Sequence, residues 1–172
     1  MRLGGLLVLL WLAQPGAAQH AAEQLGVLFD RDRPIDVRAD ELEAVRGEGE
    51  GEGDRVVFRG QVVALQDPTR LSCDWLEARY PAAGGAPERL TARGNVQLSG
   101  KASRMECGEL IYEGAACRLT CRRGDAPAAI QRGDDVMRGD EIELDLCTDT
   151  VRVRGDAAIR VAPGQHAAGD LP

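Results

Sequence analysis

The sequence has few of the side chains on which enzymes and nucleic-acid-binding proteins rely. Aromatic residues make up 3% of the 172 residues, and the two histidines, His20 and His166, lie near the chain ends. Without a central histidine, neither a catalytic triad nor a histidine metal site is expected. The net charge is −7 and no basic run is longer than Arg122-Arg123, whereas phosphate backbones are bound by concentrated basic surfaces. We therefore expect no enzyme, no cofactor, no resident metal and no nucleic-acid partner.

Long hydrophobic segments are also scarce. The clearest one, residues 3–12, lies between Arg2 and the small residues 15–18, and it is shorter than the roughly 20 residues that a membrane span requires. This arrangement is typical of a secretory signal peptide. We expect residues 1–18 to be a signal peptide cleaved near Ala18, and residues 19–32 to be a flexible segment. Retention of the segment as an anchor is the alternative.

Two short patterns recur four times each along the rest of the chain. The first occupies residues 37–44, 71–78, 105–112 and 137–144. The second is Arg-Gly followed by a polar residue, at residues 59–61, 93–95, 123–125 and 154–156. A nearly fixed period of this size is typical of stacked supersecondary units that bury apolar faces against each other. The patterns predict one repeat-built domain over residues 33–161, followed by a flexible tail at residues 162–172.

The repeats predict strands. Leu90, Ala92, Gly94, Val96 and Leu98 alternate with polar residues, which indicates a strand with one buried face. About four strands fit in each repeat, so we expect an all-β, antiparallel fold of about fourteen strands. The extra residue before the glycine in the third copy predicts a β-bulge there. The acidic, glycine-rich residues 46–54 predict a hairpin loop.

The five cysteines all follow the predicted signal peptide. In an oxidising compartment, four are expected to pair and one to be left over. Cys73 and Cys107 occupy the same position in two successive repeats, so we expect a disulfide between them. Cys117 and Cys121 lie four residues apart. In one extended strand they would be about 13 Å apart, beyond the reach of a disulfide.

The order of several segments resembles that of the LptA/OstA-like family of periplasmic lipopolysaccharide transport proteins. The resemblance starts with residues 34–42, 57–66 and 71–76 and continues with residues 90–96, 102–105 and 138–142. It implies an open, V-shaped antiparallel β-jellyroll of roughly 14 to 16 strands. It also implies a hydrophobic inner groove that shields the lipid A acyl chains of lipopolysaccharide during transport from the inner to the outer membrane of a Gram-negative envelope.

The resemblance further implies roles for particular residues. The terminal strands, marked by Ile35, Val37 and Ala39 and by Val151, Val153 and Ile159, would pair with the inner- and outer-membrane transport components or with another copy of the chain in a head-to-tail oligomer. The expected groove-lining residues are Val37, Leu42, Phe58, Val62, Leu76, Leu90, Val96, Leu98, Met105, Leu110, Ile142, Leu144, Val153 and Ile159.

Three alternatives stay open at this point. Each groove residue is equally explained by ordinary core packing. The chain also fits an inner-membrane-anchored component of the same transport system, if its N-terminal segment is retained. A structural β-solenoid of the envelope with no lipid ligand is the third interpretation.

Overall fold

The computed structural model describes residues 33–47, 49 and 52–162, and this part of the chain consists of strands, turns and bends. The predicted signal peptide, residues 19–32, most of the predicted tail and both histidines lie outside the described residues. No helix within those limits is long and apolar enough to cross a membrane. Twelve antiparallel strands form one sheet, which confirms the all-β prediction. The strands are β1 (Asp36–Arg38), β2 (Glu41–Val45), β3 (Arg55–Gln66), β4 (Thr69–Arg79), β5 (Arg89–Ser99), β6 (Ser103–Glu113), β7 (Arg118–Arg122), β8 (Ala128–Arg132), β9 (Asp135–Gly139), β10 (Glu141–Asp145), β11 (Thr150–Arg154) and β12 (Ala158–Arg160).

The sheet is divided into two arms because β3, β4, β5 and β6 are long enough to run through both arms, and the outer two of them, β3 and β6, pair with different neighbours along their two halves. Residues 55–59 of β3 pair with β2, and residues 63–65 pair with β1. In the same way β6 pairs with β7 through residues 109–113 and with β8 through residues 103–106. Each arm therefore has eight strand segments, which is how twelve strands form a jellyroll with sixteen segments.

Arm 1 is the half-sheet formed by β2, the four long strands, β7, β10 and β11, in that order. Arm 2 is formed by β1, the other halves of the long strands, β8, β9 and β12. The two arms face each other at the C-terminal end, where β8 lies close to β10 and β9 close to β11 without hydrogen-bonded pairing. One hydrophobic cluster contains side chains of both arms.

The bend between the arms coincides with β-bulges in β3 and β5. Gly60 and Gln61 lie opposite the single residue Asp74, and Gly94 and Asn95 lie opposite Gly108. These four bulge residues have positive φ angles, a conformation in which glycine is strongly favoured at the first position. The second repeated pattern of the sequence therefore marks the position of the bend.

The bulge predicted for the third copy of this pattern is wrong. There β7 ends at Arg122, and the chain leaves arm 1 to enter arm 2 at Ala128. No continuous strand crosses the bend at this copy, so there is no strand to bulge. The hairpin predicted around residues 46–54 is confirmed, because β2 and β3 pair from Val45 and Arg55 onward.

Candidate functional site

The inner faces of the two arms carry three rows of apolar side chains. Each row follows the strand register across a whole arm, with one residue from each of its eight segments. Row A, in arm 1, consists of Leu42, Phe58, Leu76, Ala92, Leu110, Cys121, Ile142 and Val153. Row B, farther from the bend, consists of Ala44, Val56, Ala78, Leu90, Tyr112, Leu119, Leu144 and Val151. Row C, in arm 2, consists of Val37, Ala64, Leu71, Leu98, Met105, Ile130, Met137 and Ile159.

Burial changes along the rows. In the strands between the two edges the side chains pack against those of the other arm, from Leu76 at 4% exposure in β4 to Ile142 at 0% in β10. At the two edges the rows reach solvent, where Leu42 is 64% exposed at the start of row A and Ile159 is 62% exposed at the end of row C. The apolar surface is thus continuous from one edge of the sheet to the other, and its ends are open.

A repeated contact between an aspartate and a glycine positions the arms. Asp40, Asp74 and Asp140 belong to the first sequence pattern, and their carboxylates occupy the space that a β-carbon would take at Gly60, Gly94 and Gly155, respectively. In the third copy the aspartate is replaced by Gly108, which lies directly against the backbone of Gly124. The two interleaved patterns of the sequence therefore meet at the bend.

All fourteen predicted groove residues lie on the inner face. Twelve belong to the three rows, and Val62 and Val96 lie between row C and the bend and are 1% exposed. Their contact with lipid stays a prediction, since most of them also form the packed interior. The predicted edge residues lie in or beside β1, β11 and β12, and within the described chain these strands have a neighbour on one side only.

Several members of the rows are not among the predicted groove residues. Leu71 and Met137 complete row C, and both occupy the same position in the first pattern as Val37 and Met105. The repeat alignment therefore contained the signal that identifies them. Ile130 lies outside both patterns, in the short strand β8, and only its pairing with Met105 and Met137 assigns it to row C.

The cysteines pair differently from the prediction. Cys107 forms a disulfide with Cys121, and Cys117 forms one with Cys147. Cys73 is a free, buried thiol, so the expected Cys73–Cys107 bridge is wrong. The physical reason is that β5 lies between β4 and β6, and two strand spacings amount to about 9.5 Å, more than the Cα separation that a disulfide tolerates.

The remaining thiol is held in its neutral form. Desolvation by burial raises the pKa of Cys73 to about 11, and the nearby Asp74 carboxylate adds to this effect. A thiol is a nucleophile and a metal ligand only as the thiolate. Cys73 therefore behaves as a small apolar side chain of the inner face, and no group of metal-ligating residues exists among the described residues.

The outer face of arm 1 carries a network of ion pairs. Along one row, Glu109 accepts hydrogen bonds from Arg93 at 2.8 Å and from Arg122 at 3.3 Å, and Glu141 accepts from Arg122 at 3.1 Å and from Arg154 at 2.8 Å. Arg122 and Arg154 hold the pKa of Glu141 below its ordinary value. Burial alone would raise the pKa of Glu109, but its two arginine partners outweigh this and lower it. This row of the outer face is thus charged, whereas the next row of the same face contains the buried side chains of Val57 and Ile111.

Comparisons with known proteins agree with this architecture. The family described as "LptA/(LptD N-terminal domain) LPS transport protein" matches residues 36–150, which is more than half of the chain. The chain belongs to this family. The resemblance noted in the sequence is therefore confirmed, and the family is one of transport proteins rather than of known enzymes.

A solved structure shows the same fold. It is the crystal structure of LptH, the LptA homologous periplasmic component of the conserved lipopolysaccharide transport device from Pseudomonas aeruginosa. The two proteins share 20% identical residues, the likeness covers 78% of this chain and 99% of LptH, and the TM-score is 0.62. No curated protein matches the sequence.

Proposed function

We propose that this chain is a periplasmic lipopolysaccharide carrier that binds acyl chains between the inner faces of its two arms. The observation that carries the proposal is the continuity of rows A and C, which run from edge to edge and end at the exposed Leu42 and Ile159. Each methylene that leaves water for an apolar surface gains about 0.8 kcal/mol. The sugar and phosphate groups of the lipid stay in water, outside the arms.

Acyl chains enter this face by replacing contacts between the arms. In the single chain the middle of the inner face is filled by side chains such as Leu76 and Leu144. The two arms share only the four long strands β3 to β6, so they can move apart about the bend. When they do, contacts between side chains of the two arms are replaced by contacts with lipid. The exposed ends of the rows are where such exchange costs least, because Leu42 and Ile159 are already in contact with solvent.

The two edges support a bridge made by edge-strand pairing. Since each arm has eight antiparallel segments, β2 of a second copy placed beside β11 continues the alternation of strand direction. If the rows of arm 1 continue without a shift into the second copy, Arg154 and Arg152 of one copy lie beside Glu41 and Glu43 of the next. Leu42 of the next copy then lies beside Val153, so row A and the outer charge pattern both continue across the junction.

The same edges suit the membrane-bound components of a transport system, provided that their own edge strands offer a comparable pattern. Edge pairing gives affinity through backbone hydrogen bonds, and the matching of charges and apolar side chains fixes the register. The proposed role is therefore that of one segment of a bridge from the inner to the outer membrane.

Adjacent residues of β2 offer a direct test of lipid binding. Leu42 and Glu43 are both exposed but point to opposite faces of the strand. A photo-reactive amino acid at position 42 should form an adduct with lipopolysaccharide, and the same amino acid at position 43 should give at least tenfold less. Equal labelling at both positions, or no adduct at positions 42, 96 and 159, would favour a structural protein without a lipid ligand.

Charge reversal tests the bridge separately. Replacing Glu41 and Glu43 by arginine should weaken head-to-tail association measured by sedimentation. Mixing this variant with one that carries Arg152→Glu and Arg154→Glu should restore the contact between the two altered edges. Association that is insensitive to both changes would contradict the proposed register.

A further inference from the structure

The outer face of arm 2 has a different charge balance from that of arm 1. It carries five arginines, each on a different strand, and two acidic residues, Asp36 and Glu106. The arginines are Arg38, Arg70, Arg104, Arg138 and Arg160. All five are exposed. We call this surface the arm 2 basic face.

These arginines are not neutralised by the protein itself. Within the described part of the chain, Arg104 is the only one of the five with a carboxylate oxygen within 4.0 Å, that of Glu106 at a long 3.9 Å. On the outer face of arm 1, by contrast, the arginines are paired with glutamates, as in Arg93–Glu109 at 2.8 Å and Arg154–Glu141 at 2.8 Å. A chain with a net charge of −7 therefore presents one face of positive charge that is available to an external anion.

We propose that the arm 2 basic face docks on the surface of an anionic lipid bilayer. The charges are distributed rather than clustered, because Arg70 and Arg104 lie in one row with a strand between them, about 9.5 Å apart. Apart from Asp36 and Glu106, the side chains between the arginines are uncharged, such as Ser72, Ser99 and Ala129. A planar array of anionic headgroups matches a broad, shallow and evenly charged face.

A protein partner fits this surface less well. Stable protein interfaces are built around several buried aromatic or aliphatic anchors at their centre. The described residues of this face include no aromatic side chain, and Leu65, at 38% exposure, is its one exposed large aliphatic side chain. The remainder of the acidic chain is repelled by an anionic membrane. Because this face runs parallel to the direction in which the strands stack, the docked form is a single chain outside the bridge, with arm 2 toward the bilayer and arm 1 away from it.

Vesicle cosedimentation without lipopolysaccharide tests the proposal. The triple variant Arg70→Gln/Arg104→Gln/Arg138→Gln removes three charges from the arm 2 basic face. The matched control Arg79→Gln/Arg89→Gln/Arg118→Gln removes three from the outer face of arm 1, where Arg79 and Arg89 are paired with glutamates. Both variants change the net charge equally, and circular dichroism checks that each is folded.

The unaltered protein should bind vesicles of equal parts phosphatidylglycerol and phosphatidylcholine at low salt and lose this binding as salt is added. The arm 2 variant should bind at least tenfold more weakly, and the control should stay within about twofold of the unaltered protein. Equal loss in both variants, equal binding to pure phosphatidylcholine, or binding to polyglutamate but not to vesicles would overturn the proposal. Acyl-chain labelling at position 42 is independent of all these outcomes.

Discussion

The contact between an aspartate and a left-handed glycine at the bend predicts a large effect of the substitution Gly94→Ala. Gly94 has a φ of +76°, and an alanine β-carbon there would overlap the carboxylate of Asp74. That carboxylate accepts a hydrogen bond of 2.9 Å from the Asn95 side chain. The substitution therefore strains the backbone and also displaces a group that holds the bulge.

The magnitude follows from these two effects. A residue other than glycine in the left-handed region costs about 1–2 kcal/mol. Loss of a hydrogen bond to a charged group costs about 1.5–3 kcal/mol, so we expect Gly94→Ala to lower the free energy of unfolding by about 2.5–5 kcal/mol. Gly84→Ala is the matched control, since Gly84 has a φ of +75° and a β-carbon there meets nothing within 4 Å. It should cost only about 1–2 kcal/mol.

Urea unfolding followed by circular dichroism measures both values, with the disulfides intact. Adding Asp74→Ala to Gly94→Ala removes the overlapping carboxylate, so the double variant should lose less stability than the sum of the two single variants. The reasoning is refuted if Gly94→Ala and Gly84→Ala cost the same, or if the effects at positions 74 and 94 are simply additive.

Three further predictions concern the interior and the cysteines. Ile142→Ala should destabilise the chain by about 2–5 kcal/mol in urea unfolding, whereas Ile159→Ala, at an exposed site, should change it by less than about 0.5 kcal/mol; equal effects would contradict the burial pattern. Replacing Cys117 and Cys147 by serine opens a loop with a sequence separation of 30 and should cost about 3–4 kcal/mol, which urea unfolding of this variant and of the unaltered protein, both under oxidising conditions, checks. Cys73, whose pKa is raised to about 11, should react with a thiol reagent at neutral pH only after unfolding, and rapid labelling of the folded protein would contradict this.

The strand faces could be predicted from the sequence because each face is a local property. Alternation of apolar and polar residues placed Leu90, Val96 and Leu98 on one face, and the structure finds them there. The even-numbered residues of β5 stay on the inner face on both sides of the bulge, and at the bulge Gly94 and Asn95 together lie opposite the single residue Gly108. A pattern with period two therefore stays readable through the bend in β5.

The pairing of distant strands could not be predicted in the same way. The third repeat departs from the others, because β7 and β8 belong to different arms and β10 returns to pair with β7. This order brings Cys117 beside Cys147 and Cys107 beside Cys121. The repeat alignment put Cys73 near Cys107 because it carried no information about the intervening strand β5. The sequence predicts about fourteen strands and the structure has twelve, because β3, β4, β5 and β6 each cross the bend as one long strand.

The most direct test of the proposed function is a comparison of two ligands. Equilibrium binding should be measured for lipopolysaccharide and for the same molecule after removal of its acyl chains. If the inner faces of the arms hold acyl chains, the intact lipid binds and the deacylated one loses most of the affinity, since about 0.8 kcal/mol is lost for each methylene no longer buried. Equal affinity for both would mean that the sugar and phosphate groups are recognised instead, and would contradict the assignment of the inner rows to lipid.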